Sequence, residues 1–427
     1  MKIDNIFGKI IALTKEVHFQ EPKGGFDSKI EFLTSKEPFF FLGGVVLEWW
    51  YTKPANIICE DIAIMATSYN SSLKVVDQKT FCSTIMKTLQ ENALNHEVFD
   101  GDLIFFRRVK TLFDARILED VHEFALRLWK LINHSLARTI TDWLVLYPLP
   151  LINAPSFDLG FDGLLLLRVD DKAAWEKLAL KYKNVQYWNP LTGKYKDGIG
   201  CDGSQLWLAC EVKGTASGSR INAGLKMRTF LAVLFSHLSL KGGNLLTKSM
   251  LQTSSNSIQF SAEPAKVGCV QKLASIGTLL HPLIDAVNVS SDIMSEVLNW
   301  YQLRSSAQPD KVYRVTKCSH FTNYGMIADN NIEQFMHFFI ALDALFGERN
   351  KVEDSIVSGI KKIFPNNTKW DIRAKKLFEL RSELVHGGSS SIDEWNNLAY
   401  YRRNFYSDPL YDVGLAVMTA LRMYFTL

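Results

Sequence analysis

Cysteine is scarce. Six thiols (Cys59, Cys82, Cys201, Cys210, Cys269 and Cys318) are scattered over 427 residues, and no two stand in C-x-x-C spacing. That usage excludes a disulfide scaffold or a zinc ribbon and fits reduced thiols in a cytoplasm. Cys318 with His320 is the nearest thing to a metal pair, but no second pair lies at a useful distance, so no metal is expected. An excess of one charge is missing too. Forty-eight basic side chains against 45 acidic ones leave a net charge of +3. A polycation that coats nucleic acid is excluded, and any basic site has to be local. Long apolar runs are also absent: Phe39 to Trp50 and Gly163 to Leu167 fall short of the ~18–20 residues that span a bilayer. Lys2, Asp4, Lys9, Lys15 and Glu16 break up the N-terminus, which offers no clean secretory h-region. A soluble, cytoplasmic protein without a membrane partner is the expectation.

What is present is ordinary globular material, 47% hydrophobic and 22% charged, which excludes disordered and fibrous classes. The length suits two or three domains. Leu118, Val121, Ala125, Leu128 and Ile132 recur at three- and four-residue steps and predict an amphipathic helix over 114–138. Trp143 to Tyr147, Leu164 to Val169 and Ser204 to Val212 read as strands, with a helix carrying Trp175, Leu178 and Tyr182 and another over 221–240, closed by Gly242-Gly243. From about residue 266 the pattern becomes helical, with candidates at 267–287, 290–304, 331–346, 351–364, 369–386 and 409–426. The fold class is α+β. A mixed α/β N-terminal region over 1–265, in one or two subdomains, precedes an all-α bundle over 266–427.

The most informative segment runs from Asp371 to Gly388. Leu377, Leu380 and Leu384 form an apolar stripe, and Gly387-Gly388 ends the helix, so His386 falls in its last turn. The macrodipole there favours a protonated imidazole. Between 361 and 381 stand seven basic residues (Lys361, Lys362, Lys369, Arg373, Lys375, Lys376, Arg381) against Asp371 and Glu379. This local surplus marks the place to look for phosphate contacts, with Lys369, Arg373 and Lys376 as the candidates.

Arg381 and His386, with the polar Ser382 after the arginine, match the R-x4-6-H signature of the HEPN superfamily. Phe339 to Phe346 (FIALDALF) resembles that family's "ALEALF" helix, Leu380 to Gly387 (LRSELVHG) resembles its "LRSxxVHG" element, and Val413 to Phe425 stands where its last helix closes the bundle. The bare signature arises about once by chance in such a chain. Arg116/His122, Arg127/His134 and Arg314/His320 also satisfy it, so the weight rests on the surrounding elements. The resemblance covers roughly 290–427 and is nearest to the ApeA-like HEPN proteins of anti-phage defence.

The resemblance implies a metal-independent endoribonuclease without a cofactor, working as a homodimer or higher homo-oligomer on RNA, tRNA among the candidates. Arg381 and His386 would be catalytic. Ser382 and Glu383 would support them, and Asp343, where the family has an acidic residue, would orient Arg381. The chemistry is coherent, since RNA cleavage needs a base for the 2′-OH proton and a cation for the charged phosphorane. Five residues at about 100° each put the two side chains roughly 140° apart on an ideal helix, so a partner's copy or a distorted last turn is needed for them to converge. The N-terminal region would sense a phage-derived trigger or recognise substrate. The other implied reading is a catalytically silent HEPN module that dimerises and binds nucleotide or RNA. Locally, His386 before Gly-Gly also reads as a plain C-cap and Arg381 as half of a pair with Asp343 or Glu379.

Rival motifs are thinner. Asp202 with Glu211-Val-Lys213 has the outline of a D…E-x-K metal site, yet [DE]-x-K recurs at Asp27, Asp77 and Asp170. Gly198 to Gly203 spells G-x-G-x-x-G but leads into a strand, which suits a glycine-rich turn. No P-loop and no G-x-S-x-G elbow is present. Trp49, Trp50, Tyr51, Tyr187 and Trp188 read as core in preference to a base-stacking platform.

Overall fold

The computed structural model describes residues 3–19, 32–34, 49–93, 97–106, 108–195, 203–239, 256–263, 272–275, 279, 283, 285–367 and 369–427. The chain divides into two compact units, Met1–Thr141 with Lys213–Ser219, and Asp142–Val212 with Arg220–Leu427. The 265/266 boundary expected from composition lies outside the described residues.

In the first unit, helices α1 (Ile3–Lys15), α2 (Lys53–Tyr69), α3 (Gln78–Asn92), α4 (Gly101–Phe105) and α5 (Val121–Thr139) accompany a small antiparallel sheet of β1 (Val17–His18), β2 (Phe32–Thr34) and β3 (Trp50–Thr52). α1 buries Ile6, Ile10 and Leu13, and α5 buries Phe124, Leu128, Ile132 and Leu136, all in one core. The helix expected over 114–138 starts later than its periodicity suggested. The Asp120 carboxylate caps it by accepting the His122 N–H at 2.8 Å, and Phe113–Ala115 is a 3-10 turn. Asp77 does double service. It caps α3 and also accepts the Thr215 hydroxyl at 2.7 Å, which fixes the Lys213–Ser219 segment in this unit.

The second unit is built on a six-stranded sheet in the order β12-β11-β4-β10-β7-β6, made of β4 (Thr141–Pro148), β6 (Phe157–Asp158), β7 (Leu164–Arg168), β10 (Leu206–Gly214), β11 (Asn256–Ser261) and β12 (Lys272–Ser275). Two short pairs, β5 (Ile152–Asn153) with β13 (Val287–Asn288) and β8 (Trp188–Asn189) with β9 (Lys194–Tyr195), stand outside it. α6 (Lys172–Lys181) packs its Leu178 with Trp188, Trp207 and Phe260. Trp188 is therefore core, as is Trp49 in the first unit, while Tyr187 is exposed. α7 (Ala216–Leu238) is buried without a break from Met227 to Leu238, which its lack of a polar face allows. The helix expected over 267–287 is corrected. Its described residues include β12 and the start of β13, which pair with β11 and β5.

Seven helices follow: α8 (Ser291–Ser305), α9 (Pro309–Ile327), α10 (Asn331–Phe346), α11 (Val352–Ile363), α12 (Lys369–His386), α13 (Leu398–Phe405) and α14 (Pro409–Met423). α10 buries Phe335, Phe338, Phe339, Leu342 and Leu345 among α9, α11, α12 and α14. The Trp300 indole N–H donates to the Leu421 carbonyl at 2.8 Å and joins α8 to α14. α9 and α13 go beyond the helices read from the sequence. The α+β class stands, and no helix of the described residues is long and apolar enough to cross a membrane.

Candidate functional site

α12 carries the motif because Trp370, Ala374, Leu377 and Leu380 give it a buried stripe. Phe378 meets Phe339 of α10 edge to face at 5.7 Å. Arg381 lies half-buried beside this contact, and His386, the last helical residue, is exposed. Neither side chain makes a hydrogen bond or an ion pair of 4 Å or less among the described residues. Gly387 takes φ +77°, and the Gly388 N–H donates to the Glu383 carbonyl at 2.9 Å. That is a Schellman stop, which requires the left-handed conformation glycine adopts without strain. The helix thus stays regular to His386, and no distorted last turn brings the imidazole round to Arg381. The supporting residues divide. The Glu383 carboxylate accepts the Ser389 hydroxyl at 3.0 Å and so anchors the turn after the helix, while Ser382 is half-buried next to Arg381.

Asp343 stands near Arg381 without closing an ion pair. It sits one turn beyond Phe339, and its Oδ1 occupies the space where any Cβ at Gly347 would fall. Desolvation against that backbone raises its carboxyl above the usual carboxylate range, with the Arg381 and Arg314 guanidinium groups pulling the other way. Arg314 donates to the Leu345 and Gly347 carbonyls at 3.2 and 3.3 Å and caps the C-terminus of α10. The charge order at the end of α10 is therefore Arg314, Asp343, Arg381.

The basic run is only partly available. Arg373, expected to contact phosphate, points inward: its Nε lies 3.2 Å from Oδ2 of the fully buried Asp412, and its Nη2 donates to the Phe405 carbonyl at 3.2 Å. Its guanidinium also covers the Trp370 and Phe405 rings. Desolvation of Asp412 makes this pair structural. Lys376 pairs with Glu379 at 2.6 Å, and Lys361 with Asp371 at 3.1 Å. Lys362, Lys369 and Lys375 are exposed and form no ion pair among the described residues.

The rival motifs resolve differently. Glu211 accepts Lys181 Nζ and the Tyr182 hydroxyl, each at 2.9 Å, and lines a cavity of about 450 Å³ beside α6. Lys213 is exposed, and Asp202 with the Gly198 turn lies outside the described residues. Cys318 is fully buried, its thiol raised to about 12 by burial, and meets Thr322. No group of three His, Cys, Asp or Glu among the described residues is arranged to hold a metal.

Two clusters escaped the sequence reading. His320 meets Tyr324 edge to face on α9 and Tyr324 stacks on His337 of α10, with Arg228 of α7 over the Tyr324 ring at 4.8 Å. Tyr400 and Tyr406 stand exposed around α13, next to α12. The signal for the second was in plain view: Tyr400-Tyr401-Arg402-Arg403-Asn404-Phe405-Tyr406 interleaves aromatic and basic residues. Comparison with protein-family models, curated proteins and solved structures finds no match for the chain.

Proposed function

We propose that this chain is a HEPN-type, metal-independent endoribonuclease of the cytoplasm. It acts as a homodimer on RNA, tRNA first among the candidates, in defence against phage. The observation that carries the reading is the pair of unengaged groups on α12: an exposed imidazole at its free end and a guanidinium five residues earlier with no ion pair. With neither side chain spent on an internal partner, both are open to a ligand or to a second copy of the chain.

In this reading the His386 imidazole accepts the 2′-OH proton, and the 2′-oxygen attacks the adjacent phosphorus. The phosphorane charge falls on Arg381, whose fork can hold two phosphate oxygens. The P–O5′ bond breaks and the 5′-oxygen takes a proton from water, giving a 2′,3′-cyclic phosphate and a 5′-hydroxyl. Because α12 is regular, Arg381 and His386 diverge by roughly 140°, so the reading pairs Arg381 of one copy with His386 of the other. The N-terminal region is assigned the sensing of a phage-derived trigger.

A second reading has its own support. The Schellman stop and the Glu383–Ser389 bond make His386 an adequate helix end without chemistry, as in a silent RNA- or nucleotide-binding module. Incubating the protein with a tRNA pool in EDTA, beside His386→Ala, separates the two. Cleavage leaving cyclic-phosphate ends and lost in the variant is expected. Binding without cleavage, in infected extract as well, supports the silent module.

A further inference from the structure

Tyr406 breaks two habits of folded chains at once. The residue is 89% exposed, and its backbone takes φ 50°, ψ 39°, the left-handed position after α13 that glycine or asparagine normally fills. Neither feature serves packing, since the cap bond to the Arg402 carbonyl is made by the backbone N–H and needs no ring. Tyr400, one and a half turns earlier, is 48% exposed and lies under Lys376 Nζ, 5.7 Å from the ring centre. On the same two helices Lys375 of α12 and Arg403 of α13 are exposed and form no ion pair among the described residues, while Arg402 is held by Asp408 at 2.8 Å.

α13 also lies against the motif helix, in the opposite direction. Asn397, before its first turn, hydrogen-bonds to Glu379, and the Phe405 carbonyl at its end accepts from Arg373. The rings therefore flank the N-terminal half of α12. From Arg373 to His386 is about 20 Å at 1.5 Å per residue.

Exposed rings alternating with unpaired cations match a ligand that alternates flat bases with anionic phosphates. They match a protein partner less well, because interface cores are depleted in lysine. A duplex, whose bases are already stacked, cannot use the rings. We infer that Tyr400 and Tyr406, with Lys375 and Arg403, form a stacking track that lays single-stranded RNA along α12 towards Arg381 and His386. The direction towards the motif rests on the function proposed above, whereas the track itself does not.

The test is binding by the full chain carrying His386→Ala, in EDTA, to a labelled oligouridine about twelve nucleotides long, read by anisotropy. Tyr406→Gly and Tyr400→Ala should each weaken binding about 5- to 20-fold. Tyr406→Gly should hold or raise the melting temperature, so the loss cannot be laid to unfolding. A blunt RNA duplex should bind the variants and their parent alike. Unchanged oligouridine affinity in both variants, or no affinity in the parent, overturns the track. A change in oligomeric state by light scattering without a change in affinity also overturns it and assigns the tyrosines to a contact between copies. If the tyrosine variants lose RNA but the unmodified protein never cleaves it, the track stands and the nuclease reading falls. If the protein cleaves and the tyrosine variants bind and cut as it does, only the track falls.

Discussion

Arg373 shows how far a residue type can mislead. In sequence it is one cation of a basic run, and nothing in its neighbours reveals that Asp412, 39 positions on, lies fully buried against it. The Asp412 carboxylate also accepts the Tyr401 hydroxyl at 2.6 Å and the Ser407 hydroxyl at 2.7 Å. Replacing Arg373 with methionine strands that carboxylate, so Arg373→Met should destabilise by about 3–5 kcal/mol in urea unfolding, with Asp412→Asn added recovering part of the loss. A loss under about 1 kcal/mol would show that the pair does not anchor α12 to α14. The place of Arg381 and His386 near the end of α12, by contrast, was legible because the helix and its Gly-Gly stop are contiguous. His320 gives a residue-scale prediction in pH. Burial, then the nearby Arg228 and His337, lower its pKa from 6.5 to about 4 in the folded protein. As pH falls from 6.5 towards 4 the unfolded chain takes up a proton that the folded one refuses, so stability present above 6.5 drains away across that window. The loss from this group is on the order of 1–2 kcal/mol, allowing for its partial exposure. Melting temperatures of His320→Asn should fall less steeply across the same window, and parallel profiles would refute the assignment.

Whole elements were legible where apolar periodicity was strong. α10 and α12 were placed to the residue and α11 to within one at each end, each with a Gly or Pro joint. α9 was not read as a helix because small polar side chains fill its buried face: Ser319, Thr322 and Asn323 are buried, and two of them bond their own helix at Val315 and Cys318. β12 was mistaken for helix because Lys272 to Ser275 is only four residues long, too short to carry a period of its own. The α9–α10 pairing depends on Gly325, where any Cβ would come within 2.5 Å of the Phe338 ring. Gly325→Ala should therefore cost about 1–3 kcal/mol through overpacking. Gly387→Ala meets no atom within 4 Å but keeps φ +77°, so it should cost about 1 kcal/mol through strain alone. Thermal melts that rank these two in the reverse order would contradict the packing described for the bundle.

At the scale of the whole molecule, the central claim is that two copies of one regular helix supply one active centre. The helix end leaves Arg381 and His386 on different faces, and the sequence alone could not tell whether a distorted last turn would bring them together; the structure shows a clean Schellman stop at Gly387 and Gly388. The first unit has its own core and its own helix caps. The measurement that bears most directly on the claim is complementation in EDTA. Arg381→Ala and His386→Ala proteins, each inactive alone on a tRNA pool, are unfolded together, refolded together and assayed. Random pairing puts half the molecules in mixed dimers with one intact shared centre each, so the account predicts recovery to about a quarter of the unmodified activity, with cyclic-phosphate ends. No recovery, where the unmodified protein treated in the same way regains its activity, would contradict it.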